Sequence, residues 1–65
     1  MRIKPGDYMK YRADSGEIFT GRITTTYTTQ KHFGTEVGNP GIHLIIDRED
    51  ILEFYTRKTH PEFFL

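Results

Sequence analysis

The sequence predicts an all-β domain of five short antiparallel strands. Three observations carry that expectation. Apolar and polar residues alternate with period two in several short runs, turn residues punctuate those runs, and Thr, Tyr and Ile, good strand formers, are concentrated within them.

The first punctuation is Pro5-Gly6. Pro presets φ near −65° at the second turn position, and Gly accepts positive φ at the third. A strand is expected to follow from Asp7 to Arg12, with Met9 and Tyr11 on one face and Tyr8, Lys10 and Arg12 on the other. After Asp14-Ser15-Gly16 comes a longer strand, in which Phe19, Gly21, Ile23, Thr25 and Tyr27 share one side and Thr20, Arg22, Thr24 and Thr26 the other.

The register of this hairpin follows from the pattern, because a slip by one residue moves every apolar side chain to the wrong face. A three-residue loop with Gly16 last, in the left-handed conformation of a bulge, pairs Tyr11 with Phe19 and Met9 with Gly21 inside. Outside, it pairs Tyr8 with Arg22 and Lys10 with Thr20.

Residues 29–41 read as a long polar excursion around a short strand from Phe33 to Val37, closed by the turn Asn39-Pro40-Gly41. Ile42 to Asp47 alternates again, and apolar residues on both of its faces predict a central strand. Asp47-Arg48-Glu49-Asp50 suits a single 3₁₀ turn leading into a last strand from Ile51 to Tyr55. The tail from Thr56 onward has no periodicity.

Length and composition bound what such a domain can do. The chain has 65 residues and no cysteine, so one domain spanning 1–65 is expected, with its core in about 3–55, a tail at 56–65, and no disulfide or thiolate metal site. A domain near this size buries only about 60% of the surface its unfolded chain exposes. Self-association or a protein partner is therefore an attractive source of stability.

Formal charge is zero, but residues 1–31 carry six basic and three acidic groups, whereas 32–65 carry three basic and six acidic ones. The longest apolar runs, Leu44-Ile45-Ile46 and Phe63-Phe64-Leu65, fall far short of the ~20 residues that span a bilayer. With no signal-peptide pattern at the start, an intracellular, cytoplasmic protein is expected.

The order of parts, with Lys4-Pro5-Gly6-Asp7-Tyr8, Thr20-Gly21-Arg22-Ile23, Leu44-Ile45-Ile46-Asp47 and Asp50-Ile51-Leu52, resembles the SH3-like small barrels, including the KOW and Tudor types. The resemblance covers about residues 3–55. It implies a five-stranded antiparallel SH3-like barrel with one 3₁₀ turn before the last strand. Barrels of this shape host RNA binding, peptide binding and methyl-lysine capture, so the fold leaves function to the site.

Catalysis has little to draw on. Ser15, the single serine, sits in a tight turn, and no threonine or lysine has an identifiable activating neighbour. Asp47, Glu49, Asp50 and Glu53 read as a solvated acidic corner. His32, His43 and His60 lack the spacing that converges imidazoles on one ion, and no metal or cofactor is expected.

Two surfaces remain as binding candidates. The outer face of the first hairpin gathers Tyr8, Lys10, Arg12 and Arg22, and Lys31-His32-Phe33 beside Tyr27 extends it unless Phe33 plugs the barrel end. Cations there can neutralise phosphates and Tyr8 can stack a base, whereas an ordinary solvated strand face is the plain alternative. The tail residues Phe63, Phe64 and Leu65 form the second surface, folding back on the core or docking into a twin subunit or another protein, with a frayed terminus as the plain alternative.

The expectation is thus a non-enzymatic interaction module that binds another protein or itself, as a homodimer, through the tail and its charged surfaces. RNA or DNA binding by the hairpin face is the alternative. An enzyme assembled at a subunit interface is a third class.

Overall fold

A computed structural model describes residues 2–65. Its strands are β1 (Tyr8–Arg12), β2 (Ile18–Thr26), β3 (His32–Val37), β4 (Ile42–Asp47) and β5 (Ile51–Tyr55), with 3₁₀ turns at Arg48–Asp50 and Pro61–Phe64. All strand pairs are antiparallel, in one sheet of order β4-β3-β2-β1-β5. Among the described residues no helix is long and apolar enough to cross a membrane.

The entry turn forms as its residues dictate. Gly6 takes φ +101°, the Asp7 amide donates to the Lys4 carbonyl at 3.1 Å, and the Asp7 carboxylate accepts from the Lys4 amide at 2.9 Å. The hairpin closes with Gly16 at φ +90° and the Ala13 amide on the Glu17 carbonyl. Its register sets Tyr8 against Arg22, Met9 against Gly21, Lys10 against Thr20 and Tyr11 against Phe19, the pairs that the alternation requires.

Three expectations need correction. A register shift between Ile23 and Thr25 turns Thr25 to the face opposite Ile23, where it pairs with Gly34, so the inner row of β2 ends at Ile23. Tyr27 packs on His32, with ring centroids 4.3 Å apart. Within the polar excursion the short strand forms as expected, one residue longer at His32, and β3 pairs with both β2 and β4 inside the sheet.

β4, read as central, is an edge strand bonded only to β3, which leaves Ile42 63% and Ile45 55% exposed. The sheet is consequently not closed into a barrel. The 3₁₀ turn at Arg48–Asp50 carries the chain from β4 across the open end, and β5 pairs with β1 instead of with β4.

The core lies within the curl of this sheet. Ile3, Met9, Tyr11, Ile23 and Phe33 are buried, with Ile46, Ile51 and Phe54 packed against them. Phe33 is fully buried and meets Phe54 edge-on at 5.1 Å, which ties β3 to β5 across the curl.

One clasp holds the N-terminal segment in place. Gln30, at φ +57°, accepts from the Ile3 amide through Oε1 at 3.1 Å and donates from Nε2 to the Ile3 carbonyl at 3.2 Å. Its own carbonyl accepts from the Arg48 guanidinium at 2.8 Å.

Gly21 marks the tightest point of the inner face. A Cβ there would lie 2.9 Å from Thr35 Oγ1 and 3.3 Å from the Tyr11 ring, and Thr35 cannot yield, being fully buried and donating to the Arg22 carbonyl at 2.6 Å. Gly21→Ala is expected to cost about 1–3 kcal/mol, seen as a lower urea midpoint at unchanged slope.

Candidate functional site

The site begins with the pairing of β1 and β5. Tyr8 lies between Arg22 on β2 and Tyr55 on β5, so all three stand side by side on the outer face. From Tyr55 the chain turns sharply through residues 56–59. The His60 and Thr59 amides donate to the Thr56 carbonyl at 2.7 and 3.1 Å, and the Thr56 and Thr59 hydroxyls lie 3.0 Å apart. Arg57 and Lys58 occupy the exposed apex of this turn.

The turn sends the tail back over the sheet. Phe63 stacks on Tyr55 with centroids 4.4 Å apart and planes within 10°, and both Phe63 and Phe64 lie 5.5 Å from the Tyr8 ring. The Arg57 guanidinium sits 5.0 Å from the Phe64 centroid. The tail therefore covers part of the outer face of its own sheet and not the core. Phe63 stays 37% exposed, Phe64 is half-buried, and Leu65 is fully exposed.

Between this tail and the entry turn runs a groove of about 750 Å³. Its walls carry five cationic side chains, Arg2, Lys4, Arg22, Arg57 and Lys58, together with Tyr8, Phe63, Phe64 and Leu65. The one carboxylate side chain in the lining, Asp7, is buried and engaged by the Lys4 amide. Among the described residues no carboxylate lies within ion-pair distance of any of the five cations.

The residues singled out by sequence are thus sorted by the structure. Tyr8, Arg22, Phe63, Phe64 and Leu65 converge on this groove. Lys10 lies outside it, flanked by Glu53 on β5 and Thr20 on β2. Arg12 is at the far end of β1, beside Asp14 on a different, apolar groove. Lys31 and His32 stand near the start of β3, with His32 against Tyr27, and Phe33 belongs to the core.

Arg2, Lys4, Arg57 and Lys58 escaped the sequence reading. Arg57-Lys58 right after a strand end was the available signal, but only the β1–β5 pairing places that dipeptide opposite the entry turn.

Elsewhere the charged groups are scattered or exposed. Carboxylate oxygens of Asp47, Glu49 and Asp50 come within 4.8 Å of one another around the 3₁₀ turn, at the solvent surface. His60 Nε2 is 4.0 Å from Glu53. The histidines stay apart, His60 edge-on to Tyr55 and His43 against Gly34.

No family model, curated protein or solved structure matches the chain.

Tyr55 has a pKa raised above its ordinary value of about 10, first by desolvation beneath its neighbours and then by the Glu53 carboxylate. The phenol ionises sooner in the unfolded chain than in the folded one. Its contribution to stability is thus complete below the ordinary pKa and is lost as pH rises through the folded value. Thermal melts above pH 10 should show stability falling with pH, with a shallower fall in Tyr55→Phe.

Proposed function

We propose that this chain is a non-enzymatic domain of the SH3-like small β class that binds single-stranded nucleic acid in the groove between the entry turn and the tail. The observation that carries the reading is the set of five cations without a carboxylate partner beside partly exposed aromatic rings in one groove. Phosphates spaced along a strand suit Arg2, Lys4, Arg22, Arg57 and Lys58, and an unstacked base suits the free surface of Phe63 or Phe64. Zero net charge is compatible with this, because five cations are gathered locally and every acidic side chain but the buried Asp7 lies elsewhere.

The order of hairpin, third and fourth strands, 3₁₀ turn and closing strand supports the SH3-like assignment. The packing of the tail on Tyr8 and Tyr55 favours this reading over insertion of Phe63 and Phe64 into a partner protein, since docking elsewhere first sacrifices those contacts. A cytoplasmic setting belongs to the same proposal.

Fluorescence anisotropy with mixed-sequence RNA and DNA oligonucleotides across a salt series tests it. Five phosphate contacts on a single strand give a slope of log affinity against log salt of about −3.5. The double variant R57A/K58A is expected to weaken binding and to flatten that slope by about 1.4, whereas K10A/R12A leaves both nearly unchanged. Absence of binding at low salt, or equal loss in the two double variants, overturns the assignment to this groove. Tighter binding of an acidic peptide than of any oligonucleotide overturns the nucleic-acid reading in favour of a protein partner.

A further inference from the structure

The open sheet has two edges, and they differ in how well they are protected. β5 has Glu53 at its middle, a register shift against β1, and the tail folded beside its end. β4 has none of these devices. Its six residues, Ile42-His43-Leu44-Ile45-Ile46-Asp47, include no Lys and no Pro, and its pairing with β3 runs without a shift. Long apolar edges of this kind are templates for another strand.

Beside the β4 edge lies a second groove, about 410 Å³, lined by Tyr11, Phe19, Val37, Leu44, Ile45 and Ile46 among others. Phe19, Val37 and Ile42 are exposed on the inner face around it, and Ile45 is exposed on the outer face of the same edge strand. The basic groove uses none of these side chains.

The sequence of β4 states what fits against it. We infer that the occupant is a second copy of this chain, paired β4 to β4 in antiparallel fashion about a two-fold axis that passes beside Ile45. A two-fold axis normal to the sheet keeps the inner faces of both copies on one side, so residues pair with others of the same face. Ile42, Leu44 and Ile46 share the inner face, opposite Val37, Thr35 and Phe33, and His43, Ile45 and Asp47 share the outer one.

With Ile45 opposite the partner's Ile45, His43 of each copy faces the partner's Asp47, and Leu44 faces the partner's Ile46. The strand is then complementary to itself in charge and in apolarity, twice over. Centring the axis on Leu44 instead sets His43 against Ile45 and leaves the imidazole and the carboxylate without each other. The pairing extends the sheet from five strands to ten and leaves both basic grooves on the outer strands, free for ligand.

This surface is independent of the nucleic-acid reading, and its test separates the two. Light scattering of the full chain over a dilution series is expected to give twice the monomer mass, and Ile45→Lys, which sets two ammonium groups at the axis, is expected to give a monomer of unchanged circular dichroism. Register is read by cysteine variants under a mild oxidant. Ile45→Cys should form a disulfide-linked dimer in high yield, because directly opposed residues bring Cβ atoms close to disulfide distance. The comparably exposed Ile42→Cys and Leu52→Cys should not.

A wild-type chain that remains a monomer throughout overturns the inference. So does cross-linking in equal yield at all three positions. Masses beyond the dimer, with mixed linkage between Ile45→Cys and Leu52→Cys chains, overturn it in favour of head-to-tail joining of β4 to β5.

Discussion

The pairing of β1 with β5 is the contact on which the rest of this molecule depends. It joins residues near the start of the chain to residues forty or more positions later, so it is formed against a large loop-closure cost. Once made, it does two things. On the inner face it brings Phe54 to Phe33 and completes the apolar cluster. On the outer face it sets Tyr55 beside Tyr8, and that aromatic pair is the platform on which the tail lies.

The inner face is crowded where β1, β2 and β3 cross it, and this explains several otherwise odd residues. Thr35 is polar and fully buried, yet its hydroxyl is satisfied by the Arg22 carbonyl. Gly21 sits opposite Met9 because Tyr11 and Thr35 already fill the space that a side chain would need. Gly34 plays the same part on the outer face, between Thr25 and His43. Small residues on β2 and β3 thus let the sheet curl tightly around Met9, Tyr11 and Phe33 without closing on itself.

Local patterns in the sequence were legible where a contact is local. The entry turn at Pro5-Gly6, the hairpin register through Gly16, the 3₁₀ turn at Arg48–Asp50 and the last strand all rest on residues close in sequence, and each has a conformational reason that one residue type supplies. What depends on distant contacts is not written in any local pattern. Apolar residues on both faces of β4 signalled a central strand, but the same pattern arises at an edge that keeps an apolar groove beside it. The shift after Ile23 was hidden because threonines carry no preference for either face. About half of the basic groove was visible, as Tyr8, Arg22 and the tail; Arg2, Lys4, Arg57 and Lys58 join it only through the β1–β5 register and the turn at 56–59.

The Gln30 clasp has an implication for tracing distant kin of this chain. Its primary amide acts as a stand-in peptide group, presenting one acceptor and one donor to the backbone of Ile3, which lies outside every strand. Few side chains can replace it: a carboxylate lacks the donor, an ammonium lacks the acceptor, and an alkyl chain lacks both. The fold therefore writes a sparse signature into any sequence that adopts it in this form. An apolar residue is followed 27 positions later by an amide, and 18 positions after that by an arginine reaching back to the same turn. Alternating Thr, Ile and Tyr occur in countless small β domains, whereas this spacing of three unlike residues follows from a clasp built by Ile3, Gln30 and Arg48 together.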